Sequence, residues 1–351
     1  MGHSMPIPTR SRIAVLALAA LLLPTACSPG GESTESAGPP ETVRLGYFAN
    51  VTHAPAIVGI TEGFFAEELG TVGLRTSTFN AGPDVIQAIF AGALDLSFIG
   101  PNPAINAYAQ SGGAAIRIIA GTTSGGAALV VGPHIREFTD LAGARIATPQ
   151  LGNTQDVALR AWLIDQGFTA TLEGGGDVSV IPQANAQILE SFQAGRIDGA
   201  WVPEPWATRL IIQGGGHILL DERDLWPGGR FVTTHLIVST PFLERHPNVV
   251  NAILRGLIRA QDLIAAEPSL AQTAVNRQIE TITGKALAPE VITGAWANLT
   301  FTLDPIADSL RKSADDAVRV GLLDPVDLDG IYHLDLLNAL LREEGRPEVG
   351  S

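Results

Sequence analysis

The chain has 351 residues, 46% of them hydrophobic, enough apolar material for two compact lobes rather than one oversized core. Lys and Arg number 22 against 36 Asp and Glu, a formal net charge of −14, which disfavours a nucleic-acid binder because that class needs a basic face. Cys27 is the only cysteine, so an intrachain disulfide and a thiolate metal cluster are excluded.

Arg10 and Arg12 precede an apolar run at 13–23. That run is too short for the roughly 30 Å of a bilayer's hydrocarbon core, but it suits the apolar region of a signal peptide. "PTAC" at 24–27 resembles a bacterial lipobox, with Pro24 where leucine is usual. Residues 1–27 are therefore expected to be a lipoprotein signal peptide ending at a lipidated Cys27. The Gly/Pro/Ser-rich 28–42 is expected to be a flexible tether, since it has too little apolar surface to pack.

Strand-like and helix-like segments then alternate. "VRLGYF" (43–48) reads as a strand, "APAIVGITEGFFAEELG" (54–70) as a helix, and "LRTSTF" (74–79) as a strand. "GPDVIQAIFAGA" opens a helix with Pro and Asp in its first turn; "LDLSFI" is a strand and "PNPAINAYAQSG" a helix. "IRIIAG", "AALVV" and "ARIAT" are strands, followed by the helix "NTQDVALRAWLIDQG" and the strand "VSVI". The helix "NAQILESFQAG", the strand "DGAWV" and the helix "EPWATRLIIQGG" complete the series, and from about Pro241 the pattern is helical. Alternation of this kind predicts an α/β protein with mostly parallel sheets covered by helices.

"AGALDLSFIGPNP" (91–103) and "AGRIDGAWVPEP" (194–205) share one plan: a helix ending at Ala-Gly, an aliphatic-Asp strand start, then Pro-x-Pro. Two lobes built alike would each place such a turn at the carboxyl edge of a sheet, where open α/β sheets bind ligands. The first lobe would offer Asn102 and the second Glu204.

Enzyme signatures are absent: there is no G-x-S-x-G, H-E-x-x-H, phosphate loop or G-x-G-x-x-G. His53, His235 and Glu204 could be drawn together as a metal site, but they have no characteristic spacing, and packing roles are expected for the histidines. A hydrolase using Glu204 with His235 would lack a nucleophile motif. Neither a cofactor nor a metal is expected. The better-grounded chemistry is anion binding at helix starts: "TPQLGNTQDVAL", "FNAGPDVI" and "IGPNPAIN" each run from a strand into a capped helix whose N–H groups lack partners. "TTSGG" (122–126) adds donors. Trp201 reads either as a core aromatic or as a wall of the cleft. Glu204 reads either as a first-turn acid or as an acceptor for a ligand amine or hydroxyl.

Taken with "VRLGYFANVTHAPAIVGITEGFF", "DLAGARIATPQLGNTQDVALRAWLIDQG" and "GRIDGAWVPEPWATRL", the chain resembles the nitrate/sulfonate/taurine-type substrate-binding proteins of ABC transporters over about residues 43–260. The resemblance implies a type II periplasmic-binding fold with crossovers near 127–133 and 231–237. Residues 43–130 and 233–351 would form the first lobe, with C-terminal helices on it, and 131–232 the second. It implies a cleft lined by Asn50, Thr52, His53, Ala81, Gly82, Pro101, Asn102 and Thr123. Gly152, Asn153, Thr154, Trp201, Glu204, Thr233 and Thr234 would complete it. The tryptophan-acid-proline turn is lengthened here to W-V-P-E-P.

The expected function is an extracytoplasmic, lipid-anchored monomer that captures a small organic anion, sulfonate- or taurine-like, for ABC permease subunits. A neutral or heterocyclic nutrient is the alternative ligand. An iron-dependent thiamin-precursor synthase on the same fold needs a cysteine-rich motif that is missing.

Overall fold

A computed structural model describes Met1 and residues 38–351; the expected signal peptide, Cys27 and residues 28–37 of the tether lie outside the described residues. The strands are β1 (Thr42–Phe48), β2 (Gly73–Phe79), β3 (Leu96–Ile99), β4 (Ile116–Gly125), β5 (Ala127–Val131), β6 (Arg145–Thr148), β7 (Ser179–Pro182), β8 (Gly199–Pro203), β9 (His217–Asp221), β10 (Val232–Ser239) and β11 (Leu299–Phe301). Helices α1 (Ala54–Thr61), α2 (Phe64–Leu69), α3 (Gly82–Phe90), α4 (Pro101–Gln110), α5 (Thr154–Asp165), α6 (Asn185–Gln193) and α7 (Trp206–Ile212) lie between them. The C-terminal part adds α8 (Thr240–Arg245), α9 (Pro247–Ala266), α10 (Pro268–Thr283), α11 (Pro289–Ala297), α12 (Ala307–Arg319) and α13 (Asp335–Glu343). No helix among the described residues is long and apolar enough to cross a membrane.

Two mixed sheets result, ordered β11-β4-β10-β3-β1-β2 and β7-β6-β8-β5-β9. β1, β2 and β3 pair in parallel with one another, as do β6, β7 and β8, while β4, β5, β9, β10 and β11 pair antiparallel. The segment 54–70 is two helices rather than one, because Gly63 takes φ 78° and turns the chain between α1 and α2. β9 and β11 are additions to the expected elements.

The chain first changes sheets at Gly125 and Gly126, whose φ values of 77° and 72° are left-handed. A Cβ at Gly126 would overlap Leu299, and one at Gly125 would come within 2.8 Å of the Asn298 carbonyl. Only glycine fits both the backbone and the space. The crossover thus precedes 127–133, and β5 already belongs to the second sheet. The return runs through 222–231, and β10 is a strand of the first sheet from Val232 onward.

The echoed segments perform the same mechanical task in both lobes. Asp95 accepts from the Arg44 backbone N–H at 2.8 Å and from its Nε at 2.9 Å, while another Arg44 guanidinium nitrogen donates to Gly92 O. Asp198 accepts from the Arg145 N–H at 2.8 Å and Nε at 3.0 Å, and Arg145 reaches Gly195 O at 3.2 Å. Each arginine starts a strand that pairs in parallel with the strand following its aspartate. The bracket pins the register of β1 on β3 and of β6 on β8.

Alternation along the strands sorts the second lobe's core onto its two faces. Leu129, Val131 and Trp201 pack with Leu159 and Trp162 on one face; Ala128, Val130, Ala200 and Val202 pack with Ile188 and Leu210 on the other. In the first layer Trp201 Nε1 donates to Glu222 Oε2 at 2.7 Å. Glu222 is buried, and burial pushes its carboxyl from an ordinary 4.5 up to about 7.

That group sets a pH dependence. The folded chain keeps the Glu222 proton up to about pH 7, whereas the unfolded chain loses it near 4.5. The group's stabilising contribution is therefore complete below pH 4.5 and is lost as pH rises to 7. The loss is on the order of 3 kcal/mol, from about 1.4 kcal/mol per pH unit. Glu222→Gln keeps an acceptor for Trp201 and removes the titration. In urea melts its stability relative to wild type should rise by that order between pH 4.5 and 8. A constant difference across the range would refute this assignment.

Candidate functional site

Where the carboxyl edges of the two sheets face each other, a cavity encloses about 380 Å³ of atom-free space, mouth included. Of the expected residues, Asn50, Thr52, His53, Ala81, Gly82, Asn153, Thr154, Thr233 and Thr234 line it. Phe48, Asn80, Gly100, Pro103, Pro149, Gln155, Asn185 and Pro203 line it too, although the sequence had not singled them out. No Asp, Glu, Lys or Arg is among the lining residues.

Five helix starts reach this space. His53, Ala81 and Gly100 precede α1, α3 and α4 in the first lobe, while Asn153 precedes α5 and Asn185 opens α6 in the second. Pro55, Pro83, Pro101 and Pro103 remove donors from the first-lobe helices; α5 and α6 keep all of theirs. In α5 the Asn153 side chain takes only the Asp156 N–H, at 2.9 Å. The N–H groups of Thr154 and Gln155 stay available at the positive end of a twelve-residue helix. Asp156 does not oppose an anion there. It is fully buried, and Oδ2 accepts from Arg160 Nε at 3.1 Å, so its charge is matched inside the lobe.

His53 is a neutral donor. Its Nδ1 accepts from the Phe48 N–H at 3.3 Å, so the proton sits on Nε2, and burial lowers its pKa to about 3. A base that weak does not drive acid–base chemistry near neutrality. Thr123 Oγ1 donates to Thr52 O at 2.7 Å and Thr234 Oγ1 to the same oxygen at 3.2 Å, while Thr233 Oγ1 donates to Gly125 O. Thr123 thus supports the wall from behind, outside the lining.

Five further expected residues are placed elsewhere. Asn102 is buried and donates to Ser313 O at 2.9 Å, toward α12, and it is Pro103, not Pro101, that faces the cavity. The Gly152 N–H is consumed by Asp156 Oδ2 at 3.0 Å. Trp201 lies in the core face of the second sheet because strand alternation turns it away from Ala200 and Val202. Glu204 is 2% exposed and faces away from the cavity. Its Oε1 accepts from Asn298 Nδ2 at 2.7 Å and Thr208 Oγ1 at 2.9 Å, and its Oε2 accepts from the Thr208 N–H at 3.1 Å. It caps α7 and ties the second lobe to the segment entering β11, and burial raises its pKa. His235 is also fully buried away from the cavity, with Nε2 against Pro305 O at 3.0 Å. The Glu204/His235 hydrolase and the three-residue metal site both require an assembly that the fold does not make; among the described residues no cluster of three metal-ligating side chains occurs.

The lobes meet across the cavity. Asn80 Oδ1 accepts from the Asn185 N–H at 3.2 Å, Trp206 Nε1 donates to Asn50 Oδ1 at 2.9 Å, and Gln150 Nε2 donates to Asp84 Oδ1 at 3.1 Å. At Gly100 a Cβ would overlap Thr154 Oγ1 of the other lobe. Gly100→Ala should therefore keep the circular-dichroism spectrum of wild type yet lose any small molecule that wild type carries through purification, read by native mass spectrometry. An unchanged load would mean that Thr154 simply rotates aside.

Residues 36–279 match the NMT1-like family. The taurine-binding periplasmic protein of Escherichia coli (strain K12) is 30% identical over 62% of this chain, which spans 65% of that relative, slightly under two thirds. The putative aliphatic sulfonates-binding protein of the same organism is 24% identical over 72% of this chain and 74% of its own length. Among solved structures, the alkanesulfonate-binding protein SsuA from Xanthomonas axonopodis pv. citri bound to MOPS has a TM-score of 0.68 at 20% identity, covering 82% of this chain and 96% of its own. The periplasmic nitrate-binding protein NrtA from Synechocystis PCC 6803 has a TM-score of 0.72 at 18% identity, covering 87% and 89%. These likenesses establish the two-lobed periplasmic-binding fold.

Proposed function

The chain belongs to the NMT1-like family, and from that premise we propose that it is the extracytoplasmic solute-binding component of an ABC importer, capturing a small organic anion of the sulfonate class. One observation carries the ligand class: helix starts from both lobes converge on a cavity with no charged side chain in its lining. Such a site holds an anion through N–H groups and helix dipoles without a buried counter-ion. The two orphan N–H groups of α5, with His53 Nε2–H and the Thr154 hydroxyl nearby, suit the three oxygens of a sulfonate.

The same lining weighs on which sulfonate. With Glu204 turned to Thr208 and Asn298, no carboxylate in the cavity is available to an ammonium group. An alkanesulfonate without an amine fits better than taurine. The name of the taurine-binding relative supports the class of anion. Neutral donors also suit a neutral or heterocyclic nutrient, so the decisive test must separate charge from shape.

Asn153→Asp does so. Aspartate caps a helix as well as asparagine, so the α5 start should hold at the loss of one hydrogen bond, from Asn153 Nδ2 to Gln155 Oε1, while a carboxylate enters beside the α5 donors. Like charges about 4 Å apart repel by roughly 4 kcal/mol at an effective dielectric near 20. Calorimetry with butanesulfonate should show a loss of at least about a hundredfold, allowing for partial screening. A neutral pyrimidine, if that were the ligand, would bind the variant as it binds wild type, and the anion reading would be wrong.

The partners that follow are the permease subunits and, through a lipid on Cys27, the membrane. Cys27→Ser should release the protein from the membrane fraction; a variant that stays membrane-bound would remove the anchor.

A further inference from the structure

A second cavity abuts the first. It encloses about 1240 Å³ of atom-free space, mouth included, and shares Asn50, Asn80 and Asn185 with the inner one. Its apolar walls include Phe79, Ile279 and Ile282, and its only charged lining residues are Arg209 and Lys285. Among the described residues no Asp or Glu lines it.

Both cations lack an acidic partner among the described residues, and Arg209 lacks one while half-buried. Arg209 is half-buried, lies over the Trp206 ring at 4.4 Å and bonds only Gln213 Oε1, at 3.1 Å. Among the described residues it has no carboxylate within ion-pair distance, whereas Arg44, Arg145, Arg160, Arg223 and Arg319 all have one. Removal from water without a paired charge lowers its pKa. Lys285 is one of two lysines; the other, Lys312, pairs with Asp316 at 2.5 Å, while Lys285 has no such partner among the described residues. Between the chambers, Asn185 Oδ1 is buried without a hydrogen-bond partner. An acidic chain has placed two unmatched cations and an apolar wall next to a cavity that itself contains no charge.

We propose that the outer chamber is a second subsite of the same cleft and takes the far, negatively charged end of an elongated dianion. Such a ligand is a short carbon chain with a sulfonate at one end and a carboxylate or second sulfonate at the other. The proposal rests on the organic-anion reading of the inner cavity. The first sulfonate occupies the α5 start, methylenes cross the asparagine layer to the apolar wall, and the second anion meets Arg209. The planar guanidinium, held by stacking on Trp206, is already oriented for a carboxylate or sulfonate. Lys285 is exposed and contributes through attraction that salt screens.

Calorimetry on the full chain tests this, comparing propanesulfonate with 3-sulfopropanoate and butanesulfonate with butane-1,4-disulfonate. At low salt the dianion of at least one pair should bind at least about tenfold tighter, the low end for a charge-assisted hydrogen bond. In Arg209→Gln that preference should fall by at least about tenfold. Lys285→Gln, altering an exposed side chain, should reduce it less and flatten its salt dependence. Equal binding of mono- and dianions by wild type, or an Arg209→Gln loss shared equally by both, would overturn the outer subsite and leave the inner reading standing. If neither class binds wild type, both fall together.

Discussion

Parallel strands joined by helices all end at one edge of their sheet, and every following helix begins there. In this chain that geometric rule puts the starts of α1, α3 and α4 opposite those of α5 and α6. Each start leaves N–H groups that the helix cannot satisfy. Burying them between two lobes without acceptors would be costly, so the interface between lobes is built around a space for an acceptor. The net charge of −14 is no obstacle, because the acidic side chains near this point are held elsewhere. Asp156 is matched by Arg160, and Glu204 is fixed behind the wall. On the proposed function, anion affinity is a local property of backbone geometry, with Asp156 and Glu204 held by partners of their own.

The Arg–Asp brackets show how one such plan was used in both lobes. Arg44 with Asp95 and Arg145 with Asp198 tie the first strand of each unit to the neighbour that delivers the Pro-x-Pro turn. Past that turn the lobes diverge. In the first, Pro103 reaches the cavity and Asn102 turns to α12. In the second, Pro203 lines the cavity, α7 begins only at Trp206, and Glu204 is left one turn ahead of Thr208, where it caps the helix. Its bonds to Thr208 and Asn298 aim this carboxylate away from the ligand space.

The fold was legible because its signals are local. Capping residues, Gly-terminated helices and alternating apolar runs placed nearly every element through α7, and the exceptions have physical reasons. Gly63 breaks 54–70 because a left-handed residue cannot continue a helix, and the three-residue β11 is too short to show a period. The site was legible only in part. Residues at helix starts, such as Asn153 and Thr154, were found because capping and ligand binding use the same positions. Asn80 and Asn185 carry that same signal, an asparagine between a strand and a helix, but bonding across the cleft is what gives them meaning. For Trp201 and Glu204 the residues left core and cap readings open beside the cleft positions that the resemblance implied; parity separates the two for Trp201, since Ala200 and Val202 face one side of β8 and position 201 the other.

Closure itself is lightly held. Asn80 to Asn185, Asn80 to Pro149, and Trp206 to Asn50 are neutral hydrogen bonds, while Gln150 to Asp84 and, beside the crossover, Asn298 to Glu204 each have one acidic partner. A neutral hydrogen bond contributes about 1 kcal/mol net, and ordering the side chains takes back a comparable share. The pair from Arg319 to Asp165, joining α12 to α5, is solvent-exposed on both sides and adds little. Against this stand the orphan donors at the helix starts, above all the Thr154 and Gln155 N–H groups of α5, which water satisfies when the lobes part. The closed arrangement without an acceptor gains weak clasps and loses hydration of those donors. On the proposed function an anion reverses the balance, because it would replace water at the donors only when both lobes surround it. A ligand shifts such an equilibrium by its differential affinity for the two states. Here that difference is concentrated at α5 and α6 of one lobe and at His53 and Gly82 of the other. Clasps of this strength leave the ligand in control of closure and let the lobes separate again once it departs.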